Sequence, residues 1–227
     1  MAEPSQETGT TVIRLWDVPV RLIHWGMALL IPALWWTAEE GEMERHRTLG
    51  LVMLFLILVR LVWGFVGGDP ARFTHFVRGP RAIAGYLAGR VAAPLGHNPL
   101  GALSVVAMLA LIVGQLSLGL IAQDEYGFVT GPLNFLVSAE TGEWATEIHK
   151  ILFNVIAAFV GLHIATVLYY QFVRHSNLIG PMLTGRKSVP ANTAEPRRAG
   201  AIALVIALVI AATVTGWIVN GAPPLGG

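Results

Sequence analysis

The chain contains no cysteine in its 227 residues. That absence removes thioether-attached haem, iron–sulfur clusters and disulfides together, so any metal centre has to be held by nitrogen or oxygen. Charge is scarce as well, with 13% charged residues and a formal net charge of +1 at pH 7. The few basic side chains are spread along the chain instead of forming a stripe, which argues against nucleic acid as a partner. A basic leader is also missing: Met1 to Thr11 carries Glu3 and Glu7 but no Lys or Arg, so this segment is expected to stay on the mature protein and not to be cleaved as a secretory signal. No long internal repeat occurs, and the Gly/Pro-rich stretch Gly221 to Gly227 reads as a disordered tail.

What the chain has in plenty is apolar length. Hydrophobic residues make up 54% and the mean hydropathy is +0.62, beyond an ordinary soluble domain. Five runs, Leu22 to Trp36, Leu49 to Val66, Ala102 to Ala122, Ile151 to Tyr170 and Ile202 to Val219, approach the roughly 20 residues that a helix needs to cross about 30 Å of hydrocarbon. The first is short but can extend back through Pro19 and Val20, and Pro32 inside it predicts a kink and not a break. The expectation is an all-α integral membrane protein of five spans.

Lys and Arg near span ends stay on the cytoplasmic side. Arg14 and Arg21 precede span one. Arg72, Arg78, Arg81 and Arg90 join spans two and three, and Arg174, Arg186, Lys187, Arg197 and Arg198 join spans four and five. The opposite side holds Arg45, Arg47 and Lys150 among many carboxylates: Glu39, Glu40, Glu42, Glu44, Asp124, Glu125, Glu140, Glu143 and Glu147. The N-terminus is therefore predicted to be cytoplasmic and the C-terminus periplasmic. Tryptophans, which favour the lipid–water interface, agree: Trp16, Trp25 and Trp63 fall near the inner ends, and Trp35, Trp36, Trp144 and Trp217 near the outer ends.

Four histidines lie in or beside the spans, and an intramembrane imidazole is a functional candidate by default. His24 falls in the first turns of span one, near the inner face. His46 opens span two and His149 opens span four, both near the outer face. His163 lies 14 residues after His149, about 21 Å deeper and nearly four whole turns on, so both point to almost one helix face. Depth thus pairs His24 with His163 and His46 with His149. Zinc or a di-iron site would call for three or four convergent ligands. Two imidazoles per level, without buried carboxylates, fit the axial ligands of a haem better.

A flat porphyrin needs small residues beside it. Gly50 follows His46 by a turn, Ala28 follows His24, and Ala157, Ala158 and Gly161 cluster near His163, while span three supplies Gly114 and Gly119. Plain helix packing explains any single glycine equally well. Propionates need cations, and Arg21 and Arg60 at the inner level, with Arg45, Arg47 and Lys150 at the outer, are placed to help; the competing reading of Arg60 is snorkelling to the interface. His75, His97 and His175, in or beside loops, are expected to be solvated. Gln115 and Ser117 of span three either line a polar pocket or hydrogen-bond between helices. Two other functions compete: a transporter passing protons or metal ions through titrating histidines, or a structural anchor for a soluble enzyme, which leaves the matched histidines unexplained.

The string Trp16-Asp17-Val18-Pro19-Val20-Arg21-Leu22-Ile23-His24-Trp25 resembles the opening of bacterial cytochrome b561 proteins and of nickel–iron hydrogenase b-type cytochrome subunits. His46-Arg47 with Leu49-Gly50, Trp63-Gly64-Phe65-Val66-Gly67, Phe76-Val77-Arg78-Gly79-Pro80, Gly96-His97-Asn98-Pro99-Leu100-Gly101 and Gly161-Leu162-His163 continue the similarity in order, over roughly Trp16 to Lys187. The resemblance implies a four-helix bundle holding two b-type haems through the same four histidines, in a bacterial inner membrane. It further implies electron transfer between ubiquinone or menaquinone and an extracytoplasmic partner: a dehydrogenase or hydrogenase subunit, a periplasmic cytochrome, or superoxide. Whether the chain is itself a quinone-linked oxidoreductase is left open. The expected organisation is a cytoplasmic segment 1–15, a di-haem domain 16–187, a linker 188–201, a fifth span 202–219 and a tail 220–227. The fifth span departs from the core bundle. A lipid-facing anchor is its simplest role, with a packing helix, a lid or a docking surface as alternatives.

Overall fold

A computed structural model describes residues 9–90, 95, 96 and 98–222. His97 and most of the Gly/Pro-rich tail lie outside the described residues. Helices long and apolar enough to cross a membrane occur at α1 (Val18–Glu39), α2 (Met43–Val66), α5 (Pro99–Ile121), α6 (Ala139–Leu168) and α8 (Ala201–Val219). All five expected spans are present, making a multi-pass membrane bundle with an extra C-terminal helix. Short helices α3 (Phe73–Phe76), α4 (Pro80–Leu87) and α7 (Ile179–Thr184) lie between them. β1 (Thr10–Arg14) and β2 (Arg186–Pro190) pair antiparallel in a two-stranded ribbon, which the hydropathy reading did not foresee. The ribbon joins the N-terminal segment to the chain after α7, and the boundary drawn after residue 187 falls inside β2.

Helix starts follow local chemistry. Asp17 caps α1, its Oδ1 accepting the Val20 N–H at 2.9 Å, with Pro19 in the first turn; such caps are worth about 0.5–2 kcal/mol. The other carboxylate oxygen, Oδ2, accepts the Trp63 indole N–H at 2.9 Å, tying the start of α1 to the end of α2. Asn98 caps α5 through the Gly101 N–H at 2.7 Å, and Ser138 caps α6 through the Thr141 N–H. This last cap sets the start of α6 twelve residues before Ile151, where the apolar run begins. α1 continues helical through Pro32.

α2 is the central helix, with α1, α5 and α8 packed around it, and α6 packs chiefly on α5. Within lipid, van der Waals fit and small residues drive such association. α8 shows this directly. Ala207 and Ala211, both 0% exposed, sit one turn apart against Val59 and Trp63 of α2, whereas Ile202, Val205 and Val209 face outward. The fifth span is thus a packing helix on one face and lipid-facing on the other. Gly64 lets the Phe73 ring lie on α2, since a Cβ there would overlap it.

Candidate functional site

α1 and α2 carry His24 and His46, and α6 carries His149 and His163 on one face that looks toward them. The His24 and His163 ring centroids stand 6.3 Å apart with an interplanar angle of 56°. Those of His46 and His149 stand 6.2 Å apart at 76°. Two imidazoles on opposite sides of one metal, each about 2 Å from it through a ring nitrogen, hold their centroids roughly 6 Å apart. Among the described residues no group of three or more metal-ligating side chains forms, so these imidazoles come together two by two.

The pair at the acidic end is fixed by main-chain carbonyls. His46 Nδ1 lies 2.9 Å from the Leu34 oxygen on α1, and His149 Nδ1 lies 2.9 Å from the Gln115 oxygen on α5. A carbonyl can only accept, so Nδ1 donates its proton in both rings, and each Nε2 keeps a lone pair for a metal. The α5 backbone comes close because residue 119 is glycine: a Cβ there would stand 3.1 Å from His149 Cε1. Gly114 instead meets Leu152 in ordinary packing.

The pair at the arginine-bearing end is held differently. His24 Nδ1 is buried with no hydrogen-bond partner among the described residues, and the Trp25 ring stands edge-on to the His24 imidazole. Trp25 Nε1 donates to the Met182 oxygen at 3.2 Å and Arg21 donates to the Leu183 oxygen, so α7 clamps the first turns of α1. Open space surrounds the small residues near the histidines: nothing lies within 4 Å of the place a Cβ would take at Gly50 or Gly161, and Ala28, Ala157 and Ala158 are exposed. The ring spacing at both levels, the Nε2 lone pairs at the acidic end and this room together suit a flat metal macrocycle between each pair.

The proposed cation partners are mostly engaged elsewhere. Arg60, 6% exposed, donates to the Ala71 oxygen at 3.4 Å and sits over the Phe73 ring at 5.2 Å. Both partners belong to the segment that follows α2. Lys150 pairs with Glu147 at 2.8 Å and Arg45 with Glu42 at 3.7 Å, while Arg47 is exposed. Ser117 donates within its own helix, to the Val113 oxygen. Gln115 contributes its carbonyl to His149, a backbone role that no side-chain reading could find. His75 faces Asp69 at 3.6 Å, and His175 is exposed.

Apolar helices that turn histidines toward one another in twos, in a chain without cysteine, define the class of integral membrane b-type cytochromes. The sequence model for prokaryotic cytochrome b561 matches residues 15–185, and the chain belongs to that family. It is accordingly a membrane electron-transfer protein that binds haem b. The match ends before β2 and α8. Among similar proteins are the probable Ni/Fe-hydrogenase 1 B-type cytochrome subunits of Escherichia coli (strain K12) and Escherichia coli O157:H7, each 24% identical over 211 residues, covering 77% of this chain and 90% of the relative. No solved structure matches the chain significantly.

Proposed function

We propose that the chain is a di-haem cytochrome that carries electrons between a membrane quinone, ubiquinone or menaquinone, and an extracytoplasmic redox partner. His24 and His163 would hold one haem b near the cytoplasmic face, and His46 and His149 the other near the periplasmic face of a bacterial inner membrane. The observation that carries this reading is the near-equal spacing of the two imidazole pairs, 6.3 and 6.2 Å, at two depths along one face of α6. A haem bound through two imidazoles supplies one-electron exchange at a metal with no open coordination position. The protein's own part is to orient the rings, keep water away and set the surrounding charge.

Sidedness follows from the arginines at one end and the carboxylates at the other. A hydrogenase or other dehydrogenase subunit, or a basic periplasmic cytochrome, suits the acidic face, which would steer a basic partner. The electron-exchange rate with such a cytochrome should fall as salt rises; a flat salt profile removes steering. Reduced-minus-oxidised spectra with a haem and iron count per purified chain test the central claim. Two haems per chain with bis-imidazole spectra are expected, and colourless, iron-free material from haem-supplemented cells overturns it.

A further inference from the structure

At the arginine-bearing end, a cavity of about 420 Å³ opens where β1 and β2 meet the start of α8, within the roughly 300–1,000 Å³ typical of small-ligand sites. Arg14, Arg21, Arg186, Arg197 and Arg198 line it, with Trp16 and Trp63 in its wall. Asp17, the carboxylate on that lining, is already committed to the Val20 N–H and the Trp63 indole. Arg198 is satisfied by Glu195. The others have capacity left: Arg21 Nε is buried without a partner, and the side chains of Arg186 and Arg197 make no hydrogen bond or ion pair among the described residues. The start of α8 adds to this. Gly200 offers no side-chain cap and lines the cavity with Ala201, so the orphan N–H groups of a 19-residue helix stand at its rim.

Guanidinium forks that outnumber the neighbouring carboxylates Asp17 and Glu195, backed by helix N–H groups, are the chemistry of phosphate recognition. The indoles fit headgroup depth, and basic pockets at the ends of membrane helices take anionic headgroups. We propose that this cavity binds phosphate, as the headgroup of an anionic phospholipid or as free phosphate from the aqueous side, and thereby fastens α8 to the ribbon and to α2. This does not depend on how the histidines are used.

The test is thermal unfolding of the purified full-length protein in neutral detergent, followed by tryptophan fluorescence. Phosphatidylglycerol is compared with phosphatidylcholine in mixed micelles, and sodium phosphate with sodium chloride at matched ionic strength. A rise in Tm of about 2–4 °C with phosphatidylglycerol, absent with phosphatidylcholine, is expected, and R186Q/R197Q should lose it while R78Q/R81Q keeps it. An equal rise with sodium phosphate alone supports the site and assigns it to the soluble anion. No rise with either probe, or a rise lost equally in R78Q/R81Q, overturns the proposal. Should R186Q/R197Q fail to fold, R186K/R197K must retain the rise, and the wild-type comparison decides by itself.

Discussion

At the acidic end, His46 and His149 each give an Nδ1 proton to a carbonyl on another helix, Leu34 and Gln115; at the arginine-bearing end, His24 buries an Nδ1 that has no partner. The ligand type is the same in both pairs, and the difference lies wholly in what surrounds it. An imidazole that donates from its far nitrogen is more basic and better oriented, so it favours the oxidised, more positive form of a bound iron. Carboxylates around one end and guanidiniums around the other push in the same sense. If each pair holds a haem, two sites with identical axial ligands acquire different potentials, the lower one belonging to His46 and His149.

The most drastic way to break this comparison is to delete one member of each pair. His163→Ala should halve the haem content and leave the acidic-end centre, and His149→Ala should do the converse, as measured by haem per chain. Loss of neither would refute the pairing. A redox titration sharpens it next: two components separated on the order of 60 mV or more are expected, and the one surviving in His163→Ala must be the lower.

A smaller effect comes from Asp17, which supports only the arginine-bearing end. Asp17→Ala removes a helix cap and the Trp63 acceptor, at roughly 1–3 kcal/mol. It should lower Tm and perturb the His24 centre while sparing the other, as read by haem absorption. The smallest concerns Glu195, whose carboxyl is held below the usual range by the Arg198 side chain and by the Arg14 N–H. A depressed folded value means that its stabilisation is present above the ordinary carboxylate pKa and is lost as pH falls through the lowered one. Because the Arg198 and Glu195 side chains are about half exposed to water, Glu195→Gln should reduce Tm only slightly at neutral pH and not at all in strong acid.

Much of the frame was legible because lipid imposes simple rules. Apolar length located five spans, and the 14-residue step from His149 to His163 told that both would lie on one face opposite His24 and His46. The start of α6 was not legible from hydropathy, since Ala139 to Lys150 is a polar helical stretch ahead of the apolar run; Ser138 as a cap with Glu140 in the first turn was the available signal. Backbone acceptors such as the Leu34 and Gln115 carbonyls leave no mark in a sequence, because every residue carries one. Depth alone says nothing of the Phe73 ring and the Ala71 carbonyl that Arg60 meets in the fold. The ribbon leaves no local mark, because two five-residue strands far apart in the chain have no pattern that announces a mate.

That ribbon has a consequence for biogenesis. Thr10 to Arg14 precede α1, yet their partners Arg186 to Pro190 emerge from the ribosome only after α1 through α7 have been made. β1 must wait, unmatched, while those helices are made, and its zippering then ties the segment before α1 to the segment after α7 like a drawstring. α8 comes after β2 in the chain, so it seats on α2 only once both strands of that knot have been made.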